Sequence, residues 1–177
     1  CMAQAGDGQM CDAVIDRGTL LAIMQAAKKA DDRLLRDYAE TTVAVADIKI
    51  AVRSMKTGKN KDFMKRAMAE CNTLDIDRLA TAAVAGMEEI ERYLADTAYA
   101  GGAEALSESA SAFERWCDNR IIETIKPQKY NPFTVGPIVA YILARLNEIK
   151  TVRIILTCKL NRLPEEAIRE RVREMYV

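Results

Sequence analysis

A chain of 177 residues has room for one domain, or two small ones, and for a sizeable core. Half its residues are apolar, which excludes a wholly disordered chain, and 26 Lys plus Arg balance 26 Asp plus Glu, which argues against a nucleic-acid surface. Histidine is absent, and with it go Ser-His and Cys-His nucleophile pairs, histidine metal ligands and the side chain best suited to proton transfer near neutral pH.

Proline is absent before Pro127, so the N-terminal region is free of the strongest helix breaker. A first helix is expected near 16–30. Leu34, Tyr38, Thr41, Val45, Ile48, Val52 and Met55 then recur at alternating spacings of four and three, an apolar stripe along one helix face. Asp31 and Asp32 suit a helix start and Gly58 a helix end, so a long helix is predicted from about 32 to 57, roughly 38 Å at 1.5 Å per residue. Shorter helices are expected near 60–71, 75–85 and 86–99. The Gly101-Gly102 pair is the best internal boundary, dividing a unit 1–100 from a unit 101–177.

The second unit is expected to open with a helix over about 103–125, carrying Leu106, Phe113, Trp116 and Ile121. Pro127 and Pro132 make the next stretch a loop. Gly136-Pro137 opens a second long helix, about 137–160, and Pro164 a last one, with Glu165 and Glu166 at the positive end of its dipole. The apolar side of that last helix reads Ile168, Val172 and Met175, with Glu165–Arg169 and Glu170–Arg173 pairing on the wet side. Arg145 and Glu148 fall on the inner stripe of the second long helix, as a satisfied internal ion pair or as a surface covered by something else. Val52-Arg53, Thr57 and Lys59 echo at Val152-Arg153, Thr157 and Lys159, an offset of 100 residues, which suggests two related units. The expected fold is an all-α helical bundle.

Enzyme chemistry finds little support. The five cysteines (Cys1, Cys11, Cys71, Cys117, Cys158) show no metal or redox spacing and read as free thiols. No glycine motif for phosphate occurs, and Lys56-Thr57-Gly58-Lys59 has the residue types without the order. The adjacent acids Asp31-Asp32, Glu88-Glu89 and Glu165-Glu166 point about 100° apart on a helix and do not face each other. No cofactor or metal is implied. The apolar run Ile138 to Ala144 stops at Arg145, well short of the roughly 20 residues a membrane span needs, and no signal peptide is visible, so the chain is expected to be soluble and to reach a membrane only through a partner.

Two surface features carry binding potential. Lys56, Lys59, Lys61, Lys65 and Arg66 form a basic corner, which faces an acidic partner or is an ordinary solvated turn. Tyr130 and Phe133 stand on the proline-rich loop as anchors for a partner, or pack onto their own domain.

The C-terminal residues go beyond a generic helical pattern. Gly136 to Ala144, then Asn147-Glu148-Ile149-Lys150-Thr151-Val152-Arg153, then Lys159-Leu160-Asn161-Arg162-Leu163-Pro164-Glu165-Glu166 resemble the closing signature of the C subunit of bacterial and archaeal V/A-type ATPases, related to the eukaryotic vacuolar d subunit. Tyr141, Glu148, Arg153, Lys159, Asn161, Pro164 and Glu165 fall on that signature. Ile15-Asp16-Arg17, Tyr38, Asp47-Ile48-Lys49 and Arg53 resemble the family's preceding unit. Cys158 stands where the family commonly has glycine, and family members are about twice as long, so this is the C-terminal part of the pattern.

The resemblance implies a funnel of related helical units and a non-catalytic central-stalk role. Such a protein links the membrane rotor ring of proteolipid subunits to the shaft subunits D and F. It transmits torque for ion transport coupled to ATP synthesis or hydrolysis, at the cytoplasmic face of the membrane. The signature residues are then mainly structural. Two other readings stand beside it: a helical adaptor outside the ATPase, and an enzyme using Cys117 or Cys158 as nucleophile, which requires an accessible thiol of lowered pKa.

Overall fold

The computed structural model describes residues 8–176, and among these every regular element is helical. In chain order they are α1 (Gly8–Ala30), α2 (Arg33–Lys56), α3 (Lys61–Ala67), α4 (Ile76–Ala85), α5 (Met87–Ala95), α6 (Ala100–Glu108), α7 (Ala110–Ile125), a 3-10 turn (Lys126–Tyr130), α8 (Gly136–Leu160) and α9 (Glu165–Arg171). The fold is all-α, as the periodicity predicts. Two compact units divide the chain, 1–103 and 104–177.

In the first unit α2 is the central rod. Asp32 caps it, its carboxylate accepting the Leu35 N–H at 3.1 Å. Asp31 turns the chain with φ 48° and pairs with Arg36 at 2.5 Å. Of the predicted stripe, Leu34, Thr41, Val45, Ile48 and Val52 are buried, and so are Ala39, Val43, Ala44, Asp47, Ala51 and Ser54. The buried arc is wide because α1, α3, α4 and α5 all pack on α2. Gly58, at φ 65°, ends the helix, with Lys59 N–H reaching back to the Ser54 carbonyl at 2.9 Å.

α3 stops at Ala67, not at 71, because the chain leaves it as an extended strap over 68–75 that side chains hold in place. Arg17 Nε donates to the Met68 carbonyl at 2.7 Å, and Ala69 N–H donates to Asp47 Oδ1 at 3.0 Å. One carboxylate oxygen of Glu40 accepts the N–H groups of Asn72 (2.6 Å) and Thr73 (2.7 Å). Asp75 N–H donates to the Tyr93 hydroxyl at 2.8 Å. Backbone groups that a helix would pair with one another are satisfied here by acids and an arginine from α1 and α2 and a tyrosine from α5.

The Gly101-Gly102 pair lies in the first turn of α6, and the division between the two compact units falls just after it, at 103/104. The helical break falls at Ser109, whose Oγ accepts the Ala112 N–H at 2.9 Å and starts α7. A glycine in a helix costs about 1 kcal/mol relative to alanine, whereas a cap residue redirects the chain, so the serine decides. The expected single helix over 103–125 is therefore two.

In the second unit α7, α8 and α9 pack on one another around Phe113, Cys117, Ile122, Ile125, Ala140 and Ala144. α8 ends like α2: Arg162 takes φ 55° and Leu163 N–H returns to the Cys158 carbonyl at 3.0 Å, as Lys59 does to Ser54. The matching bonds are 104 residues apart, so the sequence echo at 100 falls one helical turn early.

α9 is a short helix ending at Arg171; Val172 is extended, and residues 172–176 are not helical. The predicted apolar side through Val172 and Met175 does not form. Glu165–Arg169 pairs as expected, at 2.5 Å. Glu170–Arg173 does not: Glu170 accepts from Ser109 Oγ at 2.6 Å, while Arg173 turns inward, 7% exposed, to Asp118 at 2.8 Å.

Candidate functional surface

The two faces of α8 differ in what covers them. Its buried residues are Gly136, Ala140, Ala144, Asn147, Thr151 and Cys158, mostly small, so that α7 and α9 approach closely. On the other side Ile138, Ile142, Leu146, Ile149, Val152, Leu156 and Leu160 are exposed, from 46% at Ile149 to 83% at Leu160. At about 100° per residue the two sets project roughly opposite one another, and the exposed set runs for roughly 33 Å. A helix apolar all round needs cover on both sides, and an exposed apolar face of this extent marks an interaction site.

Arg145 and Glu148 do pair with each other, but Arg145 is exposed and Glu148 half-buried, so they interrupt the outer face and not the inner one. The inner polar positions are Asn147 and Thr151. Asn147 Nδ2 donates to the Glu174 carbonyl at 2.8 Å, and Thr151 Oγ1 to the Asn147 carbonyl at 2.9 Å.

The other signature residues divide in two. Asn161 Nδ2 donates to the Thr157 carbonyl at 2.8 Å, Pro164 occupies the cap of α9, and Glu165 pairs with Arg169, so these three shape the turn between α8 and α9. Tyr141, Arg153 and Lys159 are exposed on α8. The upstream residues of the resemblance, Arg17 and Asp47, meet at the strap of the first unit.

The basic corner is partly neutralised. Lys61 and Lys65 reach Asp77 on α4 at 3.3 and 3.0 Å, and hydrogen bonds from Lys65 and then Lys61 hold the Asp77 carboxyl below the usual range. Lys59 stands over the Phe63 ring at 5.0 Å, and Lys56 and Arg66 are exposed. Tyr130 (85% exposed) and Phe133 (100%) do not pack onto their own domain.

Of the buried ionic groups, Asp47 is marked in the sequence only through the resemblance, and Asp118 not at all. Asp118, on α7, takes both Arg173 (2.8 Å) and Lys150 (2.6 Å). Asp47 is fully buried, its Oδ2 has no hydrogen-bond partner, and burial pushes its carboxyl up to about 7 against the opposing pull of the Ala69 N–H and Arg17. The partners are more than twenty residues away in each case, and only a polar residue on an apolar helix face hints at them. Cys117 and Cys158 are buried, which fails the accessible thiol that the nucleophile reading requires. Cys71 is half-buried, its thiol pushed up to about 11, chiefly by burial; Cys1 lies outside the described residues. Among the described residues no cluster of acids and cysteines suits a metal ion, and no helix is long and apolar enough to cross a membrane.

Comparison with known proteins identifies the family. The model of the ATP synthase (C/AC39) subunit family matches residues 1–171. The C subunit of the A-type ATP synthase of Methanocaldococcus jannaschii is 27% identical over 156 residues, covering 83% of this chain but 39% of the relative. No solved structure is a significant match. The chain spans well under half the length of that curated relative, and over nearly its whole extent it belongs to the ATP synthase (C/AC39) subunit family.

Proposed function

We propose that this chain is a non-catalytic central-stalk segment of a V/A-type rotary ATPase, in which the outer face of α8 seats a helix of the central shaft. The observation that carries the reading is that face: exposed apolar residues in helical register along a rod whose opposite side is already packed. A rotating coupling needs stiff elements and a broad contact, and a long helix locked by a short helix and a C-terminal strap supplies both. Tyr141, Arg153 and Lys159 stand beside the apolar residues as polar contacts for the same partner.

In this reading the 1–103 and 104–177 segments are related units of a funnel-like array that joins the rotor ring to the shaft subunits D and F. The chain then works at the cytoplasmic face of the membrane, held peripherally through the complex, and passes torque without chemistry of its own. Lys56, Lys59 and Arg66 are further candidates for a partner contact, since Asp77 takes the other two cations of the corner.

The test is binding of this chain to purified shaft subunits and to the purified ring. Ile149→Asp with Leu156→Asp is expected to weaken shaft binding at least tenfold, on the order of the loss at a central apolar hot spot. Helix content should be unchanged, because both side chains are exposed. Binding of neither partner by a full-length version of the chain would favour a helical adaptor outside the rotor.

A further inference from the structure

The sequence between Glu123 and Glu148 contains no acidic residue, and its first part forms the exposed tip of the second unit. Phe133 is wholly exposed, Tyr130 nearly so, and Val135, Ile138 and Tyr141 continue the patch on to α8. The tip has a defined shape. A Cβ on Gly136 would sit 2.1 Å from the Gln128 side chain, so the 3-10 turn lies directly against the start of the helix, and Gly136 N–H donates to Thr134 Oγ1 at 3.1 Å. Glu174, an acid from the C-terminal strap, is already paired with Lys126 at 2.5 Å. Lys129 is exposed, over the Tyr176 ring at 5.0 Å.

We propose that this tip docks into the surface of an anionic lipid bilayer, Phe133, Val135 and Ile138 entering the headgroup–acyl boundary while Tyr130 and Tyr141 sit at headgroup level. Tyrosines flanking smaller apolar groups match the polarity gradient of the interface, where an aromatic ring with a polar end is favoured. A segment without acids avoids repulsion from anionic headgroups, and Lys129 supplies attraction. Interfacial docking needs no membrane-spanning length, so it is compatible with the absence of such a helix among the described residues. It gives the chain a direct lipid contact, whereas the sequence alone suggests contact through a partner only. Ile138 and Tyr141 also border the outer face of α8, so the proposal is separated from the shaft reading by Tyr130 and Phe133, which lie on the tip outside that face.

Flotation of this chain with vesicles is the test. Vesicles of phosphatidylcholine with phosphatidylglycerol should carry the chain, and pure phosphatidylcholine several-fold less. Y130S/F133S should reduce partitioning at least tenfold, and Lys129→Glu a few-fold on anionic vesicles only, with melting unchanged in both because the side chains are exposed. In Phe133→Trp, brominated lipid should quench the new emission beyond any loss from Trp116 in the unmodified chain. No partitioning into anionic vesicles overturns the proposal, as does partitioning that Y130S/F133S leaves intact. If vesicles fail and Y130S/F133S instead weakens capture by the detergent-solubilised ring, the tip is a protein contact and the lipid proposal is wrong.

Discussion

Asp47 is a carboxyl that folding holds at a cost. Burial raises it from 3.8 to about 7, so between those values the folded chain binds a proton that the unfolded chain has released. Stability from this group is fully present below about 4, falls as pH rises toward 7 and stays low above it. Three pKa units set an upper bound of about 4 kcal/mol on the effect. Asp47→Asn keeps an oxygen for the Ala69 N–H and removes the charge. Urea unfolding at pH 5 and pH 8 should show the unmodified chain losing stability between them through this group, and the variant more stable at pH 8 with a flatter profile. An unchanged pH slope in the variant would dismiss Asp47 as its source. The Asp118–Arg173 pair is a different case, a buried charge that has its counter-charge beside it. Both side chains are under 10% exposed, so Arg173→Ala takes a buried cation away from the Asp118 carboxylate, and the variant should be destabilised by about 3 kcal/mol, read from the denaturation midpoint.

At the scale of the element, two long rods end in the same backbone turn with different residues in it. Gly58 adopts φ 65° without strain, whereas Arg162 adopts φ 55° against the clash that a Cβ brings. Arg162→Gly should therefore stabilise the second unit, by up to about 1 kcal/mol, and Gly58→Ala should cost the first about the same. Thermal unfolding of the two variants checks both signs, and a destabilised Arg162→Gly would show that the arginine side chain contributes more than its backbone costs. The stripe from Leu34 to Met55 and the Gly136-Pro137 start located both rods in the sequence, because a period near 3.6 survives whatever packs against it. Local chemistry misled where a distant group decided. The helix predicted over 103–125 was divided by the Ser109 cap, α3 was cut short by Asp47 and Glu40, and α9 gave way to a strap because Arg173 finds Asp118 on α7. The outer face of α8 was legible as apolar but not as uncovered, since periodicity says which residues share a face and nothing about what lies against it.

At the scale of the whole molecule, net charge is zero, so little long-range repulsion keeps copies apart while the outer face of α8 lies open. Apolar area of this extent is rarely left bare, and another copy of the same helix is an available cover when no partner is present. The chain is therefore expected to self-associate reversibly as concentration rises, with sedimentation velocity showing a shift from monomer toward dimer. The association should strengthen slightly on warming from 5 to 25 °C, as apolar contact does over that range, and should depend weakly on salt. Ile149→Asp with Leu156→Asp places two charges in the middle of the face and should return the species to monomer at every concentration tested. Y130S/F133S leaves that face untouched and should not. A clean monomer for the unmodified chain at high concentration would mean that the face is less sticky than its composition implies, and the seat proposed for the shaft helix would lose its main physical support.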